Sequence, residues 1–202
     1  MRDKVIGVYN RSVILTYVGI LSSFTGIGFL IYRADIRHAV LCLILSGICD
    51  LFDGVIARRC KRTEEEKQFG IQIDTLADVI SFLMLPAVLL QYLTHTGVIS
   101  MVIAAFYILC GVSRLGWFNI TTEKNQGFFQ GLPVTYTALI VPVYYILTLF
   151  INGFSFEYVS CAVYMGLAIF YVLNIRIPKP RGVWYVIFPL IAVVSIVVLI
   201  VR

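Results

Sequence analysis

Residues 48–80 read ICDLFDGVIARRCKRTEEEKQFGIQIDTLADVI, a charged stretch set between two apolar runs. The first run covers Arg37–Ala57 and the second covers Gly70–Leu93. Neither run alternates apolar and polar residues as a half-buried strand does, and each has the length of a membrane-spanning helix. The stretch therefore predicts a helical hairpin in the bilayer, with Arg58–Lys67 as a solvated loop at one membrane surface.

The whole chain has the composition of a membrane protein. Of its 202 residues, 60% are hydrophobic and 13% are charged, whereas roughly a quarter of a soluble domain is charged. Because only helices and closed barrels satisfy every backbone group in lipid, the continuous apolar runs predict an all-α integral membrane protein. We expect a single polytopic domain over residues 1–202, with an accessory helix at 183–201. Seven segments have about the 20 residues that a bilayer requires: Ser12–Tyr32, Arg37–Ala57, Gly70–Leu93, Val98–Trp117, Leu132–Ile151, Phe156–Asn174 and Val183–Val201.

The distribution of basic residues predicts the orientation. If the N-terminus is cytoplasmic, only Arg33, Arg37 and Arg202 fall on the far side, and positive charge concentrates on the cytoplasmic side of membrane proteins. The prediction is a multi-pass plasma-membrane protein. Its net charge of +5 reflects topology and attraction to anionic lipid headgroups, and no nucleic-acid partner is expected. The cytoplasmic set is Arg2, Lys4, Arg11, Arg58, Arg59, Lys61, Arg62, Lys67, Arg114, Lys124, Arg176, Lys179 and Arg181.

Four aspartates fall at one predicted depth. Asp50 and Asp53 lie in the last turns of the second span, and Asp74 and Asp78 lie in the first turns of the third. Acidic residues are costly in a bilayer and usually mark function. Separations of three and four residues place each pair on one helix face. Carboxylates that meet there repel one another unless a cation is present, and their oxygens suit Mg²⁺ or Mn²⁺. One or two ions are predicted, with shared carboxylates bridging a pair.

The neighbours of these aspartates suit a phosphate ester. Gly54 follows Asp53 directly and lets a ligand approach the backbone. Ala57 is small, Arg58 offers a guanidinium group for a phosphate, and Gly70 again leaves room. Each small residue alone is explained by close helix packing, but the whole string favours a phosphate-binding site.

The string also resembles a known family. Asp50-x-x-Asp53-Gly54-x-x-Ala57-Arg58, followed by Gly70-x-x-x-Asp74-x-x-x-Asp78, is similar to the signature of the CDP-alcohol phosphotransferases. The resemblance implies six core membrane helices in a homodimer, a cytoplasmic site, and transfer of a substituted phosphate from a CDP-linked donor to an alcohol, with release of CMP. It implies that Asp50, Asp53 and Asp74 hold metal, and that Asp78 completes a second metal site or acts as the general base. The implied cytidine-diphosphate pocket comprises Asp50, Asp53, Gly54, Ala57, Arg58, Gly70 and Asp74.

Two further segments resemble the phosphatidylserine synthases of that family. They are Cys110-Gly-Val-Ser-Arg114-Leu-Gly-Trp-Phe118-Asn119 and Phe129-Gln-Gly131-Leu-Pro133. This resemblance implies transfer of a phosphatidyl group from CDP-diacylglycerol to L-serine. Arg114 is then a candidate to bind the serine carboxylate or a lipid phosphate, and Asn119 is a candidate to orient the acceptor.

Other functions stay open at this point. The same chemistry with glycerol 3-phosphate or inositol phosphate changes only the acceptor, and an archaeal ether lipid changes only the donor. A transporter lined by aspartates is a more distant alternative, since a conduction path predicts carboxylates near the bilayer midplane.

Overall fold

Helices make up most of the protein, and the predicted all-α fold is confirmed. The computed structural model describes residues 6–94, 97–121, 127–151, 156–178 and 184–201. Within these ranges there are seven helices: α1 (Ile14–Arg33), α2 (Ile36–Arg59), α3 (Glu64–Leu93), α4 (Val98–Thr121), α5 (Val134–Phe150), α6 (Phe156–Val172) and α7 (Trp184–Val201). Arg2, Lys4, Lys124, Lys179, Arg181 and Arg202, which were used for the orientation, lie outside the described residues, as does Val183.

The helices have the character of a multi-pass membrane protein. Helices α1 to α4 are long and apolar enough to cross a bilayer, judged by length and composition. The apolar parts of α5, α6 and α7 are shorter and cover Val134–Phe150, Phe156–Val172 and Ile187–Val201.

A tight connection joins α1 to α2. Ala34 takes the left-handed conformation at φ 50°, and Asp35 is the N-cap of α2. The Asp35 carboxylate accepts from the His38 backbone N–H at 3.0 Å and contacts the His38 ring Nδ1 at 2.6 Å. Burial acts to raise the pKa of Asp35, but these hydrogen bonds outweigh it and the pKa is lowered. The connection fixes α1 antiparallel against α2, which is its main packing partner.

Helix α3 is longer than predicted. It begins at Glu64 rather than Gly70, so the prediction of a solvated loop through Lys67 is wrong. The cause is a capping box, in which the Thr63 side chain accepts from the Glu66 N–H and the Glu66 carboxylate accepts from the Thr63 N–H. Three glutamates in the first turn also favour this helix start, because they oppose the helix dipole. The connection to α2 therefore shortens to Cys60–Thr63.

The middle of α3 is a π-helical segment between two α-helical ones. It is α-helical over Glu64–Asp78, π-helical over Val79–Met84, and α-helical again over Leu85–Leu93. The Leu85 N–H bonds to the Ile80 carbonyl, five residues back. The wider turn begins directly after Asp78, and such turns are frequent at functional sites.

A short ribbon closes the end of the bundle that carries the four aspartates. Strand β1 (Phe128–Gln130) pairs antiparallel with β2 (Arg176–Pro178), with Phe129 opposite Ile177. Gly131 ends β1 at φ +72°, and its N–H bonds to the Ile175 carbonyl at 2.9 Å. A side chain at Gly131 would meet the backbone oxygen of Tyr171, so glycine is required there. This ribbon is an addition to the predicted fold.

Close helix packing sets the remaining geometry. An added Cβ at Gly47 of α2 would lie only 2.6 Å from the Ala138 Cβ of α5, so these two helices touch at this point. Helix α7 packs against both α2 and α5, while α4 packs against α6. The bundle core contains three fully buried tyrosines, Tyr107, Tyr164 and Tyr171.

Candidate active site

The structure brings the four predicted aspartates together at one end of the bundle. Ligand oxygens of Asp50, Asp74 and Asp78 all lie within 4.8 Å of one another. Asp53 and Asp78 are each 9% exposed, Asp50 is half-buried, and Asp74 is exposed at the mouth of the cluster. We call these four residues the carboxylate cluster. Because α2 enters this end and α3 leaves it, the last three turns of α2 face the third and fourth turns of α3.

Helix α1 contributes a residue that the sequence analysis missed. The Thr16 hydroxyl donates to Asp53 Oδ2 at 3.1 Å in a buried position. A small cavity is lined by the whole carboxylate cluster together with Thr16 and Ser81. A lone threonine in an apolar run carries no signal of its own, so only the packing of α1 on α2 reveals its role.

The carboxylate cluster has the chemistry of a divalent-cation site. Among the described residues, the ion pairs within 4.0 Å are His38–Asp35 and Lys67–Glu64, so no basic side chain neutralises the cluster at that distance. Several like charges held this close need a counter-charge. An all-oxygen donor set with converging carboxylates suits a hard divalent ion such as Mg²⁺ or Mn²⁺. The residues present therefore fit a metal ion.

A larger cavity of about 380 Å³ extends from the cluster into apolar surroundings. Its polar end holds Asp50, Asp53 and Asp74 together with Gly54 and Arg58. Its apolar end is formed by α2, α5 and α7, with Ile44, Ile48, Leu139, Phe188, Pro189 and Ala192 among the lining residues. We call this the large cavity. The predicted accessory helix thus forms one of its walls.

Two residues of the predicted nucleotide pocket stand apart from the large cavity. Ala57 and Gly70 are described and half-buried, but neither is among its lining residues. The Arg62 guanidinium would lie 3.4 Å from a Cβ at Gly70, and the Arg58 guanidinium 3.7 Å from one at Gly54. Each glycine therefore has an arginine side chain beside it.

Arg114 occupies a buried position on the other side of the cluster. It is 7% exposed, and its guanidinium stacks on Phe118 at 4.7 Å and on Phe129 at 6.0 Å. Its Nε has no hydrogen-bond partner within the described part of the chain. Arg114 lies close enough to Asp78 for their charges to interact. It also lines a second cavity of about 280 Å³, the arginine cavity, with Ser113, Trp117, Gln130, Gly131, Tyr171, Val172, Leu173 and Asn174.

Asn119 is exposed and acts on the cluster from outside. Its Nδ2 donates to the Thr75 hydroxyl at 3.0 Å, and Thr75 directly follows Asp74. Asn119 therefore ties α4 to the turn of α3 that carries Asp74. Phe129 was quoted only within a motif, yet it lines the large cavity and contacts Arg114. Its role depends on the ribbon, which the sequence analysis did not predict.

Comparison with known proteins agrees with this geometry. The family model for CDP-alcohol phosphatidyltransferases matches residues 9–201. The chain belongs to this family. CDP-alcohol phosphatidyltransferases are membrane enzymes of phospholipid biosynthesis, in keeping with the helical bundle.

Several relatives within the CDP-alcohol phosphatidyltransferase family are similar along most of the chain. The archaetidylserine synthase of Methanothermobacter thermautotrophicus is 28% identical over 82% of this chain. The CDP-diacylglycerol–serine O-phosphatidyltransferases of Helicobacter pylori and Methanocaldococcus jannaschii are 30% and 31% identical, over 80% and 90% of the chain. The alignments span 65%, 70% and 82% of the three relatives' own lengths.

Proposed function

We propose that this protein transfers a phosphatidyl group from CDP-diacylglycerol to the hydroxyl of L-serine, giving phosphatidylserine and CMP, in a metal-dependent reaction. The observation that carries the proposal is the large cavity, because it joins a carboxylate cluster to an apolar chamber. A CDP-linked lipid has the same two parts, a charged diphosphate and long apolar chains.

The donor fits the large cavity in one direction. Its diphosphate faces Asp50, Asp53 and Asp74 at the polar end, where Arg58 offers positive charge and Gly54 leaves room beside the backbone. Its acyl chains extend among α2, α5 and α7. A bound divalent cation would be held by Asp50, Asp53 and Asp74, would neutralise the diphosphate oxygens, and would make CMP a better leaving group.

Asp78 is the proposed general base. It takes the proton from the serine hydroxyl, the serine oxygen forms a bond to the lipid-linked phosphorus, and the bond from that phosphorus to the CMP oxygen breaks with its electron pair. Asp78 suits this role because it is buried at the inner end of the cluster. Burial excludes bulk water, which would compete with serine for the same phosphorus.

Arg114 is the proposed partner of the acceptor. Serine brings a carboxylate, and a guanidinium binds a carboxylate with two parallel hydrogen bonds. Arg114 lines the arginine cavity and is also near Asp78, so it lies between an opening and the base. We assign Asn119 a supporting role, since it holds Thr75 beside Asp74.

The names of the relatives support serine more strongly than any lipid. One relative is named an archaetidylserine synthase and the other two are named CDP-diacylglycerol–serine O-phosphatidyltransferases, so the names share serine and differ in the lipid. We assign this protein a diacyl donor, with an ether-linked donor as the alternative. The basic-residue distribution supports a plasma-membrane protein with its N-terminus and active site in the cytoplasm, and the family resemblance supports a homodimer.

An acceptor panel tests the proposal. Purified protein in detergent with CDP-diacylglycerol and Mn²⁺ or Mg²⁺ is expected to release CMP when L-serine is added. Much less release is expected with glycerol 3-phosphate, inositol phosphate or no acceptor. The same panel with an ether-linked CDP-lipid identifies the donor class. Equal CMP release with and without serine would refute serine as the acceptor, and CMP release with another alcohol alone would reassign it.

Replacing Arg114 with Gln is expected to raise the KM for serine by at least about tenfold, because one charge-assisted hydrogen bond contributes about 1.5–3 kcal/mol. The KM for CDP-diacylglycerol is expected to stay within about twofold. Arg176→Gln is the matched control, because Arg176 also stacks on a phenylalanine, Phe128 at 5.1 Å, but is exposed. Steady-state kinetics, with serine and CDP-diacylglycerol varied in turn, measures the two KM values. If the KM for serine rises equally in both variants, Arg114 does not bind the serine carboxylate.

A further inference from the structure

The π-helical turn behind Asp78 contains a carbonyl that the helix cannot satisfy in the usual way. In an α-helix the Phe82 carbonyl would accept from the N–H of residue 86, but that residue is Pro86 and has no N–H. The turn is already widened at Val79–Met84. A buried carbonyl that lacks this N–H can accept a hydrogen bond from another helix.

Tyr107 of α4 supplies that donor. Its hydroxyl donates to the Phe82 carbonyl oxygen at 2.5 Å, and the side chain is 0% exposed. One turn further along α4, a side chain at Gly111 would collide with Leu83, so the π-helical turn rests directly against the α4 backbone. The contact therefore joins α4 to the segment that follows Asp78.

Two more buried hydroxyls contact Tyr107, and the Phe82 carbonyl sets the direction of the hydrogen bonds among them. Thr137 Oγ1 and the Tyr171 hydroxyl each lie 3.1 Å from the Tyr107 hydroxyl, and they contact each other. A carbonyl only accepts, so the single Tyr107 proton is used on Phe82 and the other two hydroxyls donate within the cluster. Helices α4, α5 and α6 thus converge on one carbonyl of α3.

The opposite side of the same turn is also held by hydroxyls. Ser23 Oγ of α1 donates to Ser81 Oγ at 2.8 Å and lies 2.6 Å from Ser46 Oγ of α2. Ser46 in turn donates to the Gly19 carbonyl at 2.9 Å. Ser81 and Phe82 both line the small cavity that holds the carboxylate cluster. Displacement of this turn would therefore move Asp78, its immediate neighbour in the chain.

We propose that Tyr107 is a positioning residue, which holds the π-helical turn so that Asp78 faces the rest of the carboxylate cluster. The proposal rests on the proposed function, in which Asp78 is the base. It assigns a role to a tyrosine that contacts neither the large cavity nor the arginine cavity.

Tyr107→Phe removes only the hydroxyl and keeps the ring. Its expected result is a kcat lower by about tenfold to a hundredfold, because small displacements of a reacting group cost that much. The KM values for donor and acceptor are expected to stay within about twofold. Hydrogen exchange of the amides in residues 79–85 is expected to speed up, measured by mass spectrometry on the detergent-solubilised protein.

Tyr164→Phe is a closely matched control. Tyr164 is equally buried, its ring packs 5.3 Å from that of Tyr107, and its hydroxyl has no hydrogen-bond partner in the described ranges. We expect wild-type kcat, KM and exchange for this variant. Equal kcat values in Tyr107→Phe and Tyr164→Phe would overturn the proposal, whether both stay at the wild-type value or both fall by the same factor.

A substitute variant and a readout independent of activity complete the test. If Tyr107→Phe does not purify as a folded protein, Thr137→Val removes a hydroxyl that contacts Tyr107 and is expected to lower kcat with unchanged KM, whereas unchanged kcat overturns the proposal. Kinetics use whichever acceptor the wild type accepts. A wild type that releases no CMP with any acceptor counts against the proposed function, and the hydrogen-exchange comparison then still decides whether Tyr107 anchors the turn.

Discussion

Asp78→Asn is expected to lower serine-dependent CMP release by about a thousandfold, because a positioned general base contributes about 10²–10⁴ in rate. The thermal stability of the folded protein, unlike its activity, is expected to be retained or to rise. Asp78 is 9% exposed and shares a 4.8 Å cluster with Asp50 and Asp74, so a neutral amide relieves repulsion between like charges. In the absence of metal, the Tm of the variant is therefore expected to equal or exceed that of the wild type.

The combination of lost activity and retained stability separates a catalytic role from a structural one. Asp35→Asn serves as the control, because Asp35 caps α2 at the opposite end of the bundle and asparagine is also a good N-cap. Its CMP release is expected to stay within about twofold of the wild type. Residual activity of more than about a tenth in Asp78→Asn would mean that another group accepts the proton.

Asp74→Asn is expected to abolish the response of the protein to divalent metal. A ligand that binds only the folded state stabilises it by an amount that grows with the logarithm of its concentration over its Kd, so Mn²⁺ is expected to raise the Tm of the wild type. Loss of even a supporting group around a metal costs about 10- to 100-fold in affinity, and loss of a ligand costs at least as much. Thermal unfolding at increasing Mn²⁺ concentration measures the effect, and CMP release at low Mn²⁺ is expected to fall by at least about tenfold.

Glu65→Gln is the control for the metal experiment. Glu65 is an exposed acid on the same helix, in the first turn of α3 and outside the carboxylate cluster. Its Mn²⁺ titration is expected to match that of the wild type. A wild-type Mn²⁺ response in Asp74→Asn would show that the ion binds without this carboxylate, and an equal loss in both variants would indicate a general effect of surface charge.

The aspartate cluster was predictable because its geometry is local. Asp50 and Asp53 share a helix face by their spacing, Asp74 and Asp78 do the same, and the two helices are consecutive, so their meeting depends on one short connection. The start of α3 was also readable from Thr63 and Glu66, which form the expected capping pattern. The charged residues that follow Thr63 are equally typical of a solvated loop, which is why the predicted helix began too late.

The surroundings of the cluster were not predictable in the same way. Thr16 and Phe129 reach the site from α1 and the ribbon, Tyr107 of α4 contacts the turn behind Asp78, and each is an ordinary residue in its own segment. Their positions follow from which helices pack together across the bundle. Arg114 was predictable only in part. A sequence motif identified it as a candidate, but its burial between two phenylalanines follows from the fold.

The unequal lengths of the helices have a consequence for the surrounding bilayer. Helix α2 spans Ile36–Arg59 and α5 spans Val134–Phe150, which correspond to about 36 Å and about 26 Å at 1.5 Å per residue. A hydrocarbon core is about 30 Å thick, so α5 is shorter than the core, and local thinning of the lipid is one way to match it. The large cavity lies between a long helix, α2, and a short one, α5, with α7 beside them. Hydrophobic mismatch is therefore concentrated on the side where the lipid substrate is proposed to bind, and it makes membrane thickness a physical variable of this enzyme.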